Sequence, residues 1–174
     1  LAPDESVYII NCTGSEAQKV VEATKDGAGN LFETSVACIG ASICQVGSRD
    51  SQGLIHALVE ELRKYDFKDG VLPQIHISGC PSSCGTHQIG SLGFHGGVKV
   101  IDKVPNPSFT LHVNGCDREG EERFGEKWGV ILEKDIAAFL IEVAQTVQEA
   151  GCTYDSWFPT HQEELGAIAK RYLQ

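Results

Sequence analysis

ACIGASICQVG at residues 37–47 and HISGCPSSCGTHQIGSLGF at residues 76–94 carry four cysteines in two clips, Cys38-x5-Cys44 and Cys80-x3-Cys84. Four thiolates drawn from two separated loops can enclose an iron-sulfur cube, and soft sulfur ligands suit such clusters or zinc. The second clip follows an apolar alternation, Gln74-Ile75-His76-Ile77-Ser78, which reads as a strand that breaks at Gly79. Pro81 is preset for a first helical position, so the sequence predicts a helical turn whose free amides at Ser82, Ser83 and Cys84 face the anionic sulfurs. Gly40, Gly79 and Gly85 lie beside or between the ligands, where the missing Cβ lets backbone approach a bulky inorganic core.

Two other uses of the thiols compete. Structural zinc also takes four cysteines, but usually from knuckles with two to four intervening residues, and the five of the first clip fit that poorly. Disulfides are disfavoured because seven cysteines is an odd number and no stretch has the charged start and apolar core of a secretory signal. A reducing, cytoplasmic compartment follows from that reading. Spacing alone therefore favours a cluster, with zinc second and unligated thiols third. Cys12, Cys116 and Cys152 have no partner at motif spacing and read as small apolar residues.

The same two stretches resemble the siroheme and 4Fe-4S domain of the ferredoxin-type nitrite and sulfite reductases in clip spacing, order and separation. The resemblance continues through SFTLHVNGC and EERFGEKWG, so it covers most of residues 36–150. It implies that Cys38, Cys44, Cys80 and Cys84 bind the cluster, and that Cys84 also bridges to the siroheme iron. Departures occur at Ser91, where the family usually has an acidic residue, and at Ser82, where asparagine is common. Sulfite-type members often carry Gly before the last cysteine and Arg-Pro after it. Here Ser83 and Gly85-Thr86 occupy those places, which leans toward nitrite reduction to ammonia, with sulfite reduction to sulfide as the alternative.

With 174 residues and 41% hydrophobic content, the chain can bury one sizeable core. It starts at Leu1 and contains no methionine, so it reads as an excised C-terminal fragment, incomplete and inactive by itself. Val7–Cys12 is predicted as a strand, and Ser15-x-x-Gln18 as a capping box opening a helix to about Thr24. The resemblance makes residues 1–30 the remnant of a ferredoxin-like half-domain and 31–174 the siroheme and 4Fe-4S domain. Leu54, Ile55, Leu58, Val59 and Leu62 form one apolar face of a helix over 51–65, capped by Asp50 or Ser51.

Strands are predicted over 74–78, 92–94, 98–101 and 109–113, with Gly96-Gly97 turning between the middle two. Ile136, Phe139, Leu140, Val143, Ala144 and Val147 recur at helical spacing after Asp135, and Gly151 supplies the stop. Thr160-x-x-Glu163 opens a last helix to Leu173, and 118–127 is a charged loop. The class these elements make is α+β, a mixed β-sheet flanked by helices.

A formal net charge of −10 argues against attraction to nucleic acid or an anionic membrane surface, and no transmembrane run is present. It also bears on the enzyme. Nitrite, sulfite and the siroheme carboxylates are anionic and need clustered cations, yet only Arg49 lies near a clip. The chain is therefore expected to lack the anion-binding residues; the resemblance implies that they lie in the N-terminal half of the same enzyme and that ferredoxin or a similar donor supplies electrons. Gln45 and Arg49, just past the first clip, are the candidates for touching the macrocycle, against a plain reading as capping and surface charge. His76, His87, His95 and His112 titrate near neutral pH, and none is assigned a role; His76 reads as a satisfied polar position on its strand.

Overall fold

The computed structural model describes residues 7–174. One sheet holds five strands in the order β1 (Val36–Ala37), β2 (Ile75–Ser78), β3 (Leu92–Ile101), β4 (Val104–Val113) and β5 (Glu126–Leu132). The first three are parallel neighbours, while β3, β4 and β5 pair antiparallel. Helices flank this mixed sheet, as the sequence predicts.

Alternation gives the sheet two chemically different faces. Ile75, Ile77, Leu92, Phe94, Phe109, Leu111, Val113 and Ile131 are fully buried on one. They share a core with the apolar stripes of α2 (Ser51–Leu62), α3 (Ile136–Glu149) and α5 (Gln162–Lys170). The other face bears His76, Ser78 and His112, buried although polar. Segment 79–91 lies over it, with Thr86 Oγ1 2.7 Å from His76 Nδ1 and His87 Nδ1 2.9 Å from Ser78 Oγ. The β1–β2 crossover thus carries α2 on the apolar face, whereas the helix-free β2–β3 crossover runs across the polar one.

Asp50 caps α2 by accepting from the Gly53 amide at 3.0 Å, and α3 ends at Glu149 just before Gly151, whose φ is +71°. Elsewhere the structure corrects the sequence reading. Val7 to Cys12 form no strand, since the sheet ends at β1 and Val7, Tyr8, Ile9 and Ile10 stay exposed. The capping box of α1 (Gly14–Ala23) is Thr13 with Glu16, not Ser15 with Gln18, because the extended backbone that enters the helix is at Thr13.

The Gly96-Gly97 turn is absent: β3 runs through it and the hairpin turns at Asp102-Lys103, both at positive φ. A Cβ on Gly96 would stand 2.4 Å from the Gly79 carbonyl oxygen and 2.7 Å from the Arg49 side chain, so close approach explains this glycine. Residues 118–127 are irregular at first but end inside β5. Thr160 does not cap the last helix. It lies in a 3-10 turn, Phe158–Thr160, that follows a short helix α4 (Tyr154–Trp157), and α5 starts after His161 and stops at Lys170.

Candidate metal centre

Both clips leave the carboxyl ends of adjacent parallel strands. Val36 pairs with His76 and Ala37 with Ile77, so Cys38 comes one residue after β1 and Cys80 two residues after β2. Open sheets with parallel strands bind ligands at such carboxyl ends. Gly79 then joins the clips. Its amide donates to Cys38 Sγ at 3.1 Å, and its carbonyl accepts from the Ser48 and Arg49 amides at 3.0 and 2.9 Å. A Cβ on Gly79 would lie 2.6 Å from the Arg49 carbonyl oxygen and 2.9 Å from Gly40 Cα.

The first clip is wound tightly by its own backbone. A 3-10 turn spans Gly40–Ser42, the Cys44 amide donates to the Gly40 carbonyl at 2.9 Å, and Ala41 donates to the Arg49 carbonyl at 2.8 Å. Gly40 has a φ of +63°, and a side chain there would meet Ser51 Oγ at 2.5 Å. Ser51 Oγ instead donates to the Cys38 carbonyl at 2.7 Å and stands 3.3 Å from Cys38 Sγ. The start of α2 is thereby fastened to Cys38.

The predicted helical turn after Pro81 is replaced by a chain of turns, because Ser83 and Thr86 adopt positive φ values of 61° and 52° that no α-helix tolerates. The amide directed at sulfur is Gly79's rather than one of a helix start. Exposure rises along the set: Cys38 is buried, Cys44 and Cys80 are half-buried, and Cys84 is exposed. Ile43 and Val46 flank Cys44 and are each 75% exposed, an apolar rim around the thiols. Cys38 and Cys80 stand just past the ends of two neighbouring strands with backbone held close by glycines, while Cys44 and Cys84 lie further along their loops, and the four Sγ atoms are not gathered as one ligating group. Four thiols are a donor set of the right chemistry for an iron-sulfur cluster.

Gln45 is exposed beside Cys44, and Arg49 is half-buried with its Nε bonded to the Ser48 carbonyl. Cys116 is buried and Cys152 packs against the core, as small apolar residues do, but Cys12 is exposed. His76 is a buried strand residue beside Thr86, in keeping with a satisfied polar position. His87, His95 and His112 come together on the polar face, a gathering of loop and strand residues that no sequence spacing announces.

Among known proteins the chain is 34% identical over 105 residues to "Sulfite reductase, assimilatory-type" of Nitratidesulfovibrio vulgaris, covering 60% of this chain and 43% of that one. It is 27% identical over 144 residues to "Sulfite reductase [ferredoxin] 1" of Mycolicibacterium paratuberculosis, covering 76% and 25% respectively. A "Ferredoxin--nitrite reductase" of Leptolyngbya laminosa is 29% identical over 98 residues, covering 56% and 19%. The chain therefore spans less than half the length of these relatives. No protein-family model matches it. Its fold is that of part of the Mycobacterium tuberculosis NirA protein, with a TM-score of 0.66 over 90% of this chain and 32% of the other at 19% identity. In sequence the chain is similar to parts of longer nitrite and sulfite reductases, and its fold is that of part of one solved neighbour.

Proposed function

We propose that this chain is the cluster-bearing part of a ferredoxin-dependent nitrite reductase, holding a 4Fe-4S cluster on Cys38, Cys44, Cys80 and Cys84 and presenting Cys84 to siroheme. The observation that carries the reading is the Gly79 junction, which ties the two clips together at neighbouring strand ends. When bound, the cluster and siroheme supply one-electron transfer and an iron centre at which an oxyanion is reduced.

The chain's own residues do the rest. The Gly79 amide offers a hydrogen bond to anionic sulfur at Cys38, and Ser51 fixes the backbone from which that sulfur projects. Cys84, exposed, is the thiol open to a neighbouring macrocycle. Ile43 and Val46 offer apolar surface for it to cover, with Gln45 and Arg49 alongside for its polar edge. The cations that hold nitrite belong, in this reading, to an N-terminal half of the same enzyme, in keeping with a net charge of −10 here. Residues 1–30 are assigned to the end of that half and 31–174 to the siroheme and 4Fe-4S domain. α1 buries none of its residues, which accords with that division.

Sulfite is the second reading of the substrate, favoured by the names of the Nitratidesulfovibrio and Mycolicibacterium relatives. Nitrite rests on Ser83 and Gly85-Thr86 around the last cysteine. A structural or interaction module in which the four cysteines hold zinc is the competing class. Metal and acid-labile sulfide assays on anaerobically prepared chain decide between classes: iron and sulfide in about equal amounts support the cluster, whereas zinc without sulfide refutes it. In the full-length protein, Cys84→Ser is expected to disturb siroheme spectra more than Cys38→Ser does. Unchanged spectra and activity would remove the bridging role.

A further inference from the structure

The three histidines on the polar face share a site that the cluster reading does not use. His87 lies 1% exposed in the β2–β3 crossover, His95 is half-buried on β3 and His112 is buried on β4. Their ring centroids are 4.8, 4.8 and 5.1 Å apart, and one nitrogen from each falls within 4.8 Å of the others. The sheet builds this arrangement. Ser78 pairs with His95, and Gly93 pairs with both His76 and His112, so Ser78, His95 and His112 share one face. A Cβ on Gly93 would meet the His87 carbonyl oxygen at 1.8 Å, so this glycine lets His87 settle over the sheet.

Packing imidazoles together without carboxylates is unfavourable if any is charged. Burial, with His95, His112 and His76 adding to it, pushes His87 down to about 3. Burial, then His112 and Lys127, hold His95 at about 4. Burial also lowers His112, opposed in part by the Gly125 backbone and helped by Lys127. Burial thus favours the neutral imidazole at all three positions, the form that ligates metal.

We propose that His87, His95 and His112 form a second metal site, a three-imidazole seat for a divalent transition ion such as Zn²⁺, separate from the four-cysteine centre. Bonds of 2.0–2.1 Å in tetrahedral geometry place ligand nitrogens about 3.3 Å apart. His95 Nδ1 and His112 Nε2 are 2.9 Å apart here, so modest ring rotations open the seat. The nitrogens behind the seat have neighbours of the kind that orient ligands. Ser78 Oγ stands 2.9 Å from His87 Nδ1, so the tautomer with hydrogen on Nδ1 donates to Ser78 and frees Nε2. His112 Nδ1 is buried without a hydrogen bond of normal geometry, and fixing its ring by Nε2 ligation would aim the Nδ1 hydrogen at the backbone around Gly125. Three histidines and, among the described residues, no fourth protein ligand leave one position for water, the pattern of open rather than purely structural zinc sites. Lys127 opposes a cation here, but it is exposed and its field is screened by solvent.

Zn²⁺ stoichiometry of the full chain, prepared anaerobically with its cysteines reduced, tests this by comparison with His95→Ala and His112→Ala. Wild type is expected to take up one equivalent more than either variant, with an X-ray absorption shell of nitrogen at about 2.0–2.1 Å attributable to that equivalent. Ser78→Ala should weaken that binding roughly 10–100-fold. Uptake equal in wild type and His95→Ala, or zinc bound by sulfur alone, would overturn the site. Should His112→Ala unfold, the half-buried His95 still decides through diethylpyrocarbonate labelling of wild type: Zn²⁺ protects it if the site exists, and labelling unaffected by Zn²⁺ refutes it. Loss of the iron-sulfur assignment would leave this result standing, since no cysteine takes part.

Discussion

Gly79→Ala is the substitution that most directly challenges the convergence of the two clips. The new Cβ would stand 2.6 Å from the Arg49 carbonyl oxygen and 2.9 Å from Gly40 Cα, so the first clip must move away. Three hydrogen bonds depend on that contact, from Gly79 to Cys38 Sγ and from Ser48 and Arg49 to the Gly79 carbonyl. At about 1 kcal/mol net for each, their loss costs up to about 3 kcal/mol. Alanine returns about 0.5–1 kcal/mol by restricting the unfolded chain. The balance, about 2 kcal/mol, corresponds to a fall in Tm of roughly 4–8 °C for a chain of this size. Thermal unfolding followed by circular dichroism measures the first consequence, and iron and sulfide content after anaerobic reconstitution measures the second. A variant that melts within about 1 °C of wild type and loads the same iron would refute the claim that Gly79 holds the clips together.

Asp50→Ala removes the N-cap of α2, the helix fastened to the first clip, and should cost about 1 kcal/mol in a denaturant titration. Phe139, fully buried on α3, should cost about 3–5 kcal/mol on truncation to alanine in the same titration, a loss that marks the helix side of the core. Glu33 accepts from Arg63 Nε and Nη2 at 2.8 and 2.7 Å and from the Gly29 amide at 2.8 Å, and Arg63 with that amide holds its carboxyl down to about 2. Because the folded form holds this proton less tightly than the unfolded chain, the stabilisation is complete above about pH 4.5 and disappears as pH falls toward 2. Glu33→Gln should therefore lower Tm at about pH 6 and narrow its difference from wild type at about pH 2.5. A difference independent of pH would show that the ion pair contributes nothing.

What could be read from the chain follows from how local each signal is. The stripe Ile136, Phe139, Leu140, Val143 and Val147 repeats along the whole helix, so α3 is legible without knowledge of its neighbours. The clips are legible for the same reason, each lying within a few residues. The strand β5 is not, since its outer residues are exposed and its pairing is set by β4 on the far side of an irregular loop. Gly96-Gly97 looks like a turn because glycine is used there for another reason, to admit the Gly79 carbonyl and the Arg49 side chain. The capping box at Ser15 failed because Thr13, an equally good capping residue, stands where the backbone enters the helix, and the one at Thr160 because that residue is taken up in a 3-10 turn and the helix begins after His161. The histidines carry no spacing signal at all; His87 meets His95 and His112 only through strand register and the 79–91 crossover.

The two crossovers on opposite sides of the sheet divide responsibility for the molecule. The long helices α2, α3 and α5 sit with the apolar core, whereas the layer across the polar face is nearly all turns and bends, held by hydrogen bonds and, in the proposed reading, by a cluster on the cysteines. If the proposed cluster is held there, a preparation that has lost it keeps an almost unaltered helical signal while the turn layer loosens. For this chain, spectroscopic helicity is a poor gauge of intactness, and protease cutting or amide exchange within residues 79–91 is the sensitive one.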